Sequence, residues 1–134
     1  MASKKSVNDV VRKLYQARKR GDLDAMASLT TPNFIFEIVG DSKLCRIAGK
    51  TKGRAAFRAR MESLIEFAFA NEKLVSLVVD GDHAVVHRRM KVTYKPTDKS
   101  GMLDYIDRLT FKNSKIATLL QFVDTALVAD IMRP

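Results

Sequence analysis

The sequence predicts an α+β domain in which helices cover one face of a curved, mostly antiparallel sheet. Two observations carry this: helix-spaced apolar residues in the first half, and four strand-like runs joined by short turns in the second. The 134 residues suffice for one core, and 46% apolar with 29% charged residues suits a folded domain rather than a disordered chain.

From Val7 to Arg20 the apolar positions Val7, Val10, Val11, Leu14 and Ala17 form an i, i+3, i+4, i+7 stripe. Gly21 ends this helix, after basic residues placed where the helix dipole favours them. Asp22 can cap a second helix over 23–29, which stops before Pro32. Residues 33–39 are aromatic and β-branched and read as a strand closed by Gly40. A loop is expected over 41–53. A long helix follows over 54–70, with Phe57, Met61, Leu64, Ile65 and Ala68 on one face. A flexible basic tail is expected at 1–6, ahead of one domain at 7–132.

Strands are expected over 74–79, 83–94, 102–111 and 116–123, separated by Asp80-Gly81-Asp82, by residues 96–101 and by Asn113-Ser114. Asp124-Thr125 can cap a closing helix over 126–132. Alternation puts Ala84, Val86, Arg88, Met90, Val92 and Tyr94 on one face, apolar except for Arg88. On the next strand Tyr105, Asp107, Leu109 and Phe111 form the more apolar face, apolar except for Asp107. A turn centred between Asp98 and Lys99 sets Met90 opposite Asp107 and Arg88 opposite Leu109. Arg88 and Asp107 are then diagonal neighbours, with β-carbons about 7 Å apart. An inward charge is costly unless paired, so this pair either fixes the register or lines a ligand cavity.

Other chemistries are poorly supported. His83 and His87 are four residues apart on a strand, about 13 Å between β-carbons, too far to share a metal ion. Cys45 is the only cysteine, which excludes an internal disulfide and suits a reducing, cytoplasmic setting. No phosphate-binding glycine loop, nucleophile elbow or CxxC pattern implies a cofactor or metal. No apolar run is long enough to span a membrane. The first 20 residues carry +6 of the net +9. Without aromatic-interleaved strands or any Trp, this reads as a solvated helix face and argues against nucleic acid, leaving an acidic partner as a minor alternative.

The segments "RKRGDLDAMASLTTPNFIFEI", "GKTKGRAAFRARM" and "LDYIDRLTFKNSKIATLLQFVDTALV", in this order and spacing, resemble the SnoaL-like polyketide cyclase and ketosteroid isomerase group of the nuclear transport factor 2-like superfamily. The resemblance implies a cone-shaped α+β barrel with an apolar pocket for a polyketide- or steroid-like molecule. It also implies a homodimer through the outer sheet face, here carrying His87, Arg89 and Lys91. Asp107 falls where the isomerases keep a neutral carboxylic acid that donates to the enolate oxygen, a case with known precedent. Their general base would fall at Ile38, with Glu37 pointing to the other face. Their helix tyrosine would fall at Leu14, about 100° of helix away from Tyr15. In the related epoxide hydrolases an acid would fall near Gln121. A two-residue turn at Asn113-Ser114 favours Leu120 facing inward and a three-residue turn favours Gln121. The expected pocket is lined by Tyr15, Phe34, Phe36, Ile38, Met61, Met90, Tyr105 and Gln121, with Asp107 and Arg88 as catalytic pair. Paired with Arg88, Asp107 acts as a base; unpaired in an apolar site, it acts as a donor. The alternative is a non-catalytic binding module of the same fold.

Overall fold

The first apolar stripe folds as α1 (Lys4–Arg20), with Val7, Val10, Val11, Leu14 and Ala17 all buried. The structure is a computed structural model and describes residues 4–134. Because α1 begins at Lys4, residues 4–6 of the expected tail are helical, and residues 1–3 lie outside the described residues. Gly21, at φ +69°, turns the chain into α2 (Leu23–Ser28), whose Ala25 N–H donates to the Asp22 side chain at 3.0 Å.

β1 (Thr30–Ile38) starts earlier than expected and contains Pro32, which is tolerated where pairing with the neighbouring strand breaks between Thr30 and Ile35. The expected loop at 41–53 contains a strand of four residues, β2 (Gly49–Lys52), paired antiparallel to β1. The long helix is seven residues shorter than expected, 10 rather than 17. α3 (Arg54–Ser63) stops at Leu64, leaving Ile65 71% exposed. Residues 67–70 open β3 (Phe67–Asp80) instead. Phe67-Ala68-Phe69-Ala70 fits a two-residue period as well as a helical stripe. Pairing with β4 and packing of the Phe67 ring 5.0 Å from Tyr94 decide for the strand.

β4 (His83–Tyr94), β5 (Lys99–Lys112) and β6 (Lys115–Phe122) complete one sheet in the order β2-β1-β6-β5-β4-β3, antiparallel except for the β1–β6 pair. The faces expected of β4 and β5 are the buried ones. The β4–β5 register is displaced by four residues: Arg88 lies opposite Tyr105 and Val86 opposite Asp107. The cause is a loop of residues 95–98 closed by Asp98, which takes φ +56° and donates its N–H to Tyr94 O. Gly101, expected in this turn, lies in β5, where a β-carbon would stand 3.1 Å from Leu127 Cδ2 on α4 (Thr125–Met132).

The β5–β6 turn has two residues, Asn113 and Ser114, both at positive φ as a tight hairpin turn requires. That turn alone would bring Leu120 inward. A bulge between Thr110 and Phe111 makes Ala117 an extra residue in β6 and sets Gln121 opposite Asp107, so Gln121 faces the core. Helices α1 to α3 lie on the concave face, where Phe57 packs edge-on against Phe34 and Phe36 at 4.8 and 5.4 Å. Truncating such a buried ring costs about 3–5 kcal/mol.

Candidate active site

Asp107 points from the middle of β5 into the concave face and is completely buried. Its Oδ2 accepts from Tyr15 Oη at 2.6 Å and from Arg88 Nη2 at 3.1 Å, while Oδ1 accepts from Gln121 Nε2 at 2.9 Å. Arg88 has no lone pair to offer, so the contact suits an ionised carboxylate, which only accepts. The paired arrangement of the two sequence alternatives is therefore the one found. The turn chemistry of β4–β5 and the bulge in β6 bring Arg88 and Gln121 to this carboxylate, and α1 brings Tyr15. Tyr15, one position from where the resemblance places a helix tyrosine, still reaches the carboxylate, and Leu14 is buried beside it.

Arg88 is only 4% exposed and is held on three sides. Nη1 donates to Glu72 Oε1 at 2.9 Å, and the guanidinium carbon lies 3.9 Å from the Tyr15 ring centroid and 5.5 Å from that of Tyr105. Burial works against its charge, but Asp107, Tyr15 and Glu72 outweigh burial and hold its pKa above the ordinary value. Burial, reinforced by the negative charge of Asp107, pushes the Tyr15 hydroxyl well above its usual range. Burial likewise pushes Tyr105 up to about 12. Both phenols stay protonated near neutrality and remain hydrogen-bond donors.

Three spaces meet this cluster: one of about 370 Å³ between α1 and β3, beside Tyr15, Glu72 and Arg88, and two others that share a wall. An inner chamber of about 20 Å³ is walled by Tyr15, Phe36, Asp107, Leu119 and Gln121, room for about one water. A wider cavity of about 620 Å³ opens beyond it, lined by Phe67, Phe69, Glu72 and Met90 among others. Arg18, Met26, Met61, Leu64 and Arg88 border both. Arg18 Nη1 lies 3.5 Å from Met61 Sδ, and both side chains belong to the partition that the two spaces share. Phe34 and Ile38 are buried in the core and border neither space, and Tyr105 stands behind Arg88. Ile38 is the register partner of Gln121, so no carboxylate stands there, and Glu37 is on the opposite face of β1.

Two participants escaped the sequence reading. Glu72 lies between the helix expected over 54–70 and the strand expected over 74–79. It lies in a bulge of β3 between Ala70 and Lys73, where Asn71 takes φ +56°, and the bulge aims it at Arg88. Arg18 was grouped with a solvated face, although its three-residue spacing from Tyr15 puts both on one side of α1. Its guanidinium carbon lies 4.7 Å from the Phe69 ring centroid, and burial, followed by the charge of Arg88, lowers its pKa.

On the outer sheet face His87 Nε2 and Arg89 Nε share Asp104 Oδ1 at 2.7 and 3.0 Å. Cys45 is a buried free thiol. Among the described residues no three His, Cys, Asp or Glu side chains converge to hold a metal ion, and no helix is long and apolar enough to cross a membrane.

A family model described as the SnoaL-like domain matches residues 11–119. No protein of curated function matches the sequence. Among solved structures, an NTF2-like protein from Burkholderia xenovorans LB400 is 21% identical over 98% of each chain, with a TM-score of 0.86. An NTF2-like protein from Burkholderia thailandensis E264 is 26% identical over 96% of this chain and 98% of its own, with a TM-score of 0.83. TerC co-crystallised with polyporic acid is 15% identical over 95% of this chain and 98% of its own, with a TM-score of 0.80.

Proposed function

The chain belongs to the SnoaL-like domain family of the NTF2-like superfamily, and on that premise we propose that it binds an apolar small molecule and transfers a proton next to a carbonyl group. The observation that carries this reading is the buried Asp107 carboxylate, held by Arg88, Tyr15 and Gln121 at the wall of the inner chamber. That TerC was crystallised with polyporic acid supports a small organic occupant of this fold.

In this mechanism Met61 and Arg18 swing aside and the substrate carbonyl enters the chamber. Asp107 takes the proton from the adjacent carbon, the C–H electron pair forms the C=C bond of the enolate, and the carbonyl pair moves to oxygen. The Arg88 charge and the Tyr15 hydroxyl, no longer drawn to a charged Oδ2, stabilise the enolate oxygen. Return of the proton to another carbon gives isomerisation. Attack of the enolate carbon on a second carbonyl gives aldol-type cyclisation, with the proton passing to the new alkoxide. Substrates of polyketide or steroid type would set their apolar body against Phe67, Phe69 and Met90. Asp107→Asn and Arg88→Ala are expected to abolish turnover while ligand-induced thermal stabilisation persists.

One observation favours a second reading, a non-catalytic binding module: Asp107 is fully buried and both its oxygens are already occupied by protein donors. Thermal stabilisation by a ligand with no product formed, in the wild type as in Asp107→Asn, would select it. Homodimerisation through the outer sheet face is part of the same proposal, supported by the exposed Val78, Val85, Met102 and Phe122.

A further inference from the structure

Arg18 is a cation in no ion pair among the described residues, although Asp107 and Glu72 act on it from a distance. Among the described residues no carboxylate lies within ion-pairing distance of it, whereas Arg88 beside it has two. Its contacts are the thioether sulfur of Met61 and the face of Phe69. A guanidinium has five N–H donors in a planar fork, and a sulfur atom satisfies one of them weakly. A partly buried charge left in this state is costly, and burial with the neighbouring Arg88 already disfavours it. The cavity it faces is positive at its rim, where Lys19, Arg20 and Lys95 stand against Glu62; Glu62 is engaged by Arg58, and Arg20 lies 3.7 Å from Asp22. Arg88 is already matched by Glu72 and Asp107, so Arg18 supplies the unmatched charge inside.

We propose that the ligand carries a carboxylate, which Arg18 binds in a two-pronged contact at the boundary of the two chambers, with the apolar body of the ligand against Phe67, Phe69 and Met90. A planar carboxylate matches the guanidinium fork in geometry and in charge. Its binding draws Arg18 away from Met61 and opens the partition towards Asp107. This inference rests on the reading of the cavity as a small-molecule site and not on the proton-transfer chemistry.

The test is calorimetric binding of benzoate, cinnamate, 2-naphthoate and octanoate, each beside its primary amide. The amide keeps the shape and removes the charge. At least one carboxylate is expected to bind about tenfold or more tighter than its amide. Arg18→Gln should erase that preference, Arg18→Lys should keep part of it, and Lys95→Gln should keep nearly all of it. The thermal midpoint of unliganded Arg18→Gln should equal or exceed that of the wild type, which separates lost binding from lost folding. Asp107→Asn should retain the preference, so a failure of the catalytic reading leaves this result standing. The proposal is overturned if no carboxylate outbinds its amide, if the preference survives Arg18→Gln, or if Lys95→Gln erases it equally through a diffuse field.

Discussion

Arg88 and Asp107 meet along one diagonal of the β4–β5 ladder, with Nη2 3.1 Å from Oδ2. Val86 is the direct partner of Asp107 and Tyr105 that of Arg88, so the long guanidinium crosses the space between two rungs. Both ends are buried, and each is the other's main compensation for lost hydration.

Breaking this pair on one side is therefore expected to cost more than removing it. Arg88→Met should lower stability by about 3–5 kcal/mol, because a carboxylate is left buried without its cation. Asp107→Leu should cost a similar amount. The double variant Arg88→Met/Asp107→Leu should be no less stable than either single one, measured by urea denaturation as a double-mutant cycle. Additive losses would mean that the two side chains do not interact.

The β5–β6 turn holds Ser114 at φ +62°, a conformation that glycine adopts without steric cost. Ser114→Gly is expected to stabilise the protein by about 0.5–1 kcal/mol. A loss of stability in thermal denaturation would contradict the turn geometry.

Alkaline pH should unfold the protein through its phenols. Burial raises the folded pKa of Tyr105 from an ordinary 10.0 to about 12, and Tyr15 is also raised. A pKa raised on folding gives stability that is complete below the unfolded value and is lost as pH rises through the folded value. Stability should thus decline between about pH 10 and 12. Tyr105→Phe should flatten part of that decline, and the tyrosinate absorbance it removes should appear about two pH units late.

If the outer sheet face joins two copies, Val85→Lys should shift the chain from dimer to monomer in sedimentation velocity, with its far-ultraviolet circular dichroism unchanged. An unchanged mass would exclude this face.

Much of the fold was legible because alternation and turn chemistry are local properties. The inward faces of β4 and β5 could be read from Val86, Met90, Leu109 and Phe111 alone, without the register. The register itself was missed by four residues. The diagonal survived because a shift by four keeps every side chain on its face and moves Arg88 from one rung beyond Asp107 to one rung before it. What the sequence concealed depends on irregular backbone. The bulge at Ala117 chooses Gln121, and the bulge at Asn71 aims Glu72, yet neither residue carries a distinctive local pattern. Arg18 was hidden among six other basic groups of the first 20 residues, and only its packing against Met61 and Phe69 separates it from them.

Proton transfer by Asp107 at a carbon next to a carbonyl would leave an isotopic trace in heavy water. Its most direct measurement is deuterium uptake from heavy water into a panel of cyclic and aryl ketones, with and without a carboxylate, followed by proton NMR. Exchange is expected to be faster than in buffer for at least one ketone with the wild-type protein, and to fall to the buffer rate with Asp107→Asn. Exchange undiminished in Asp107→Asn, or no acceleration of any ketone by the wild type, would contradict proton transfer by Asp107.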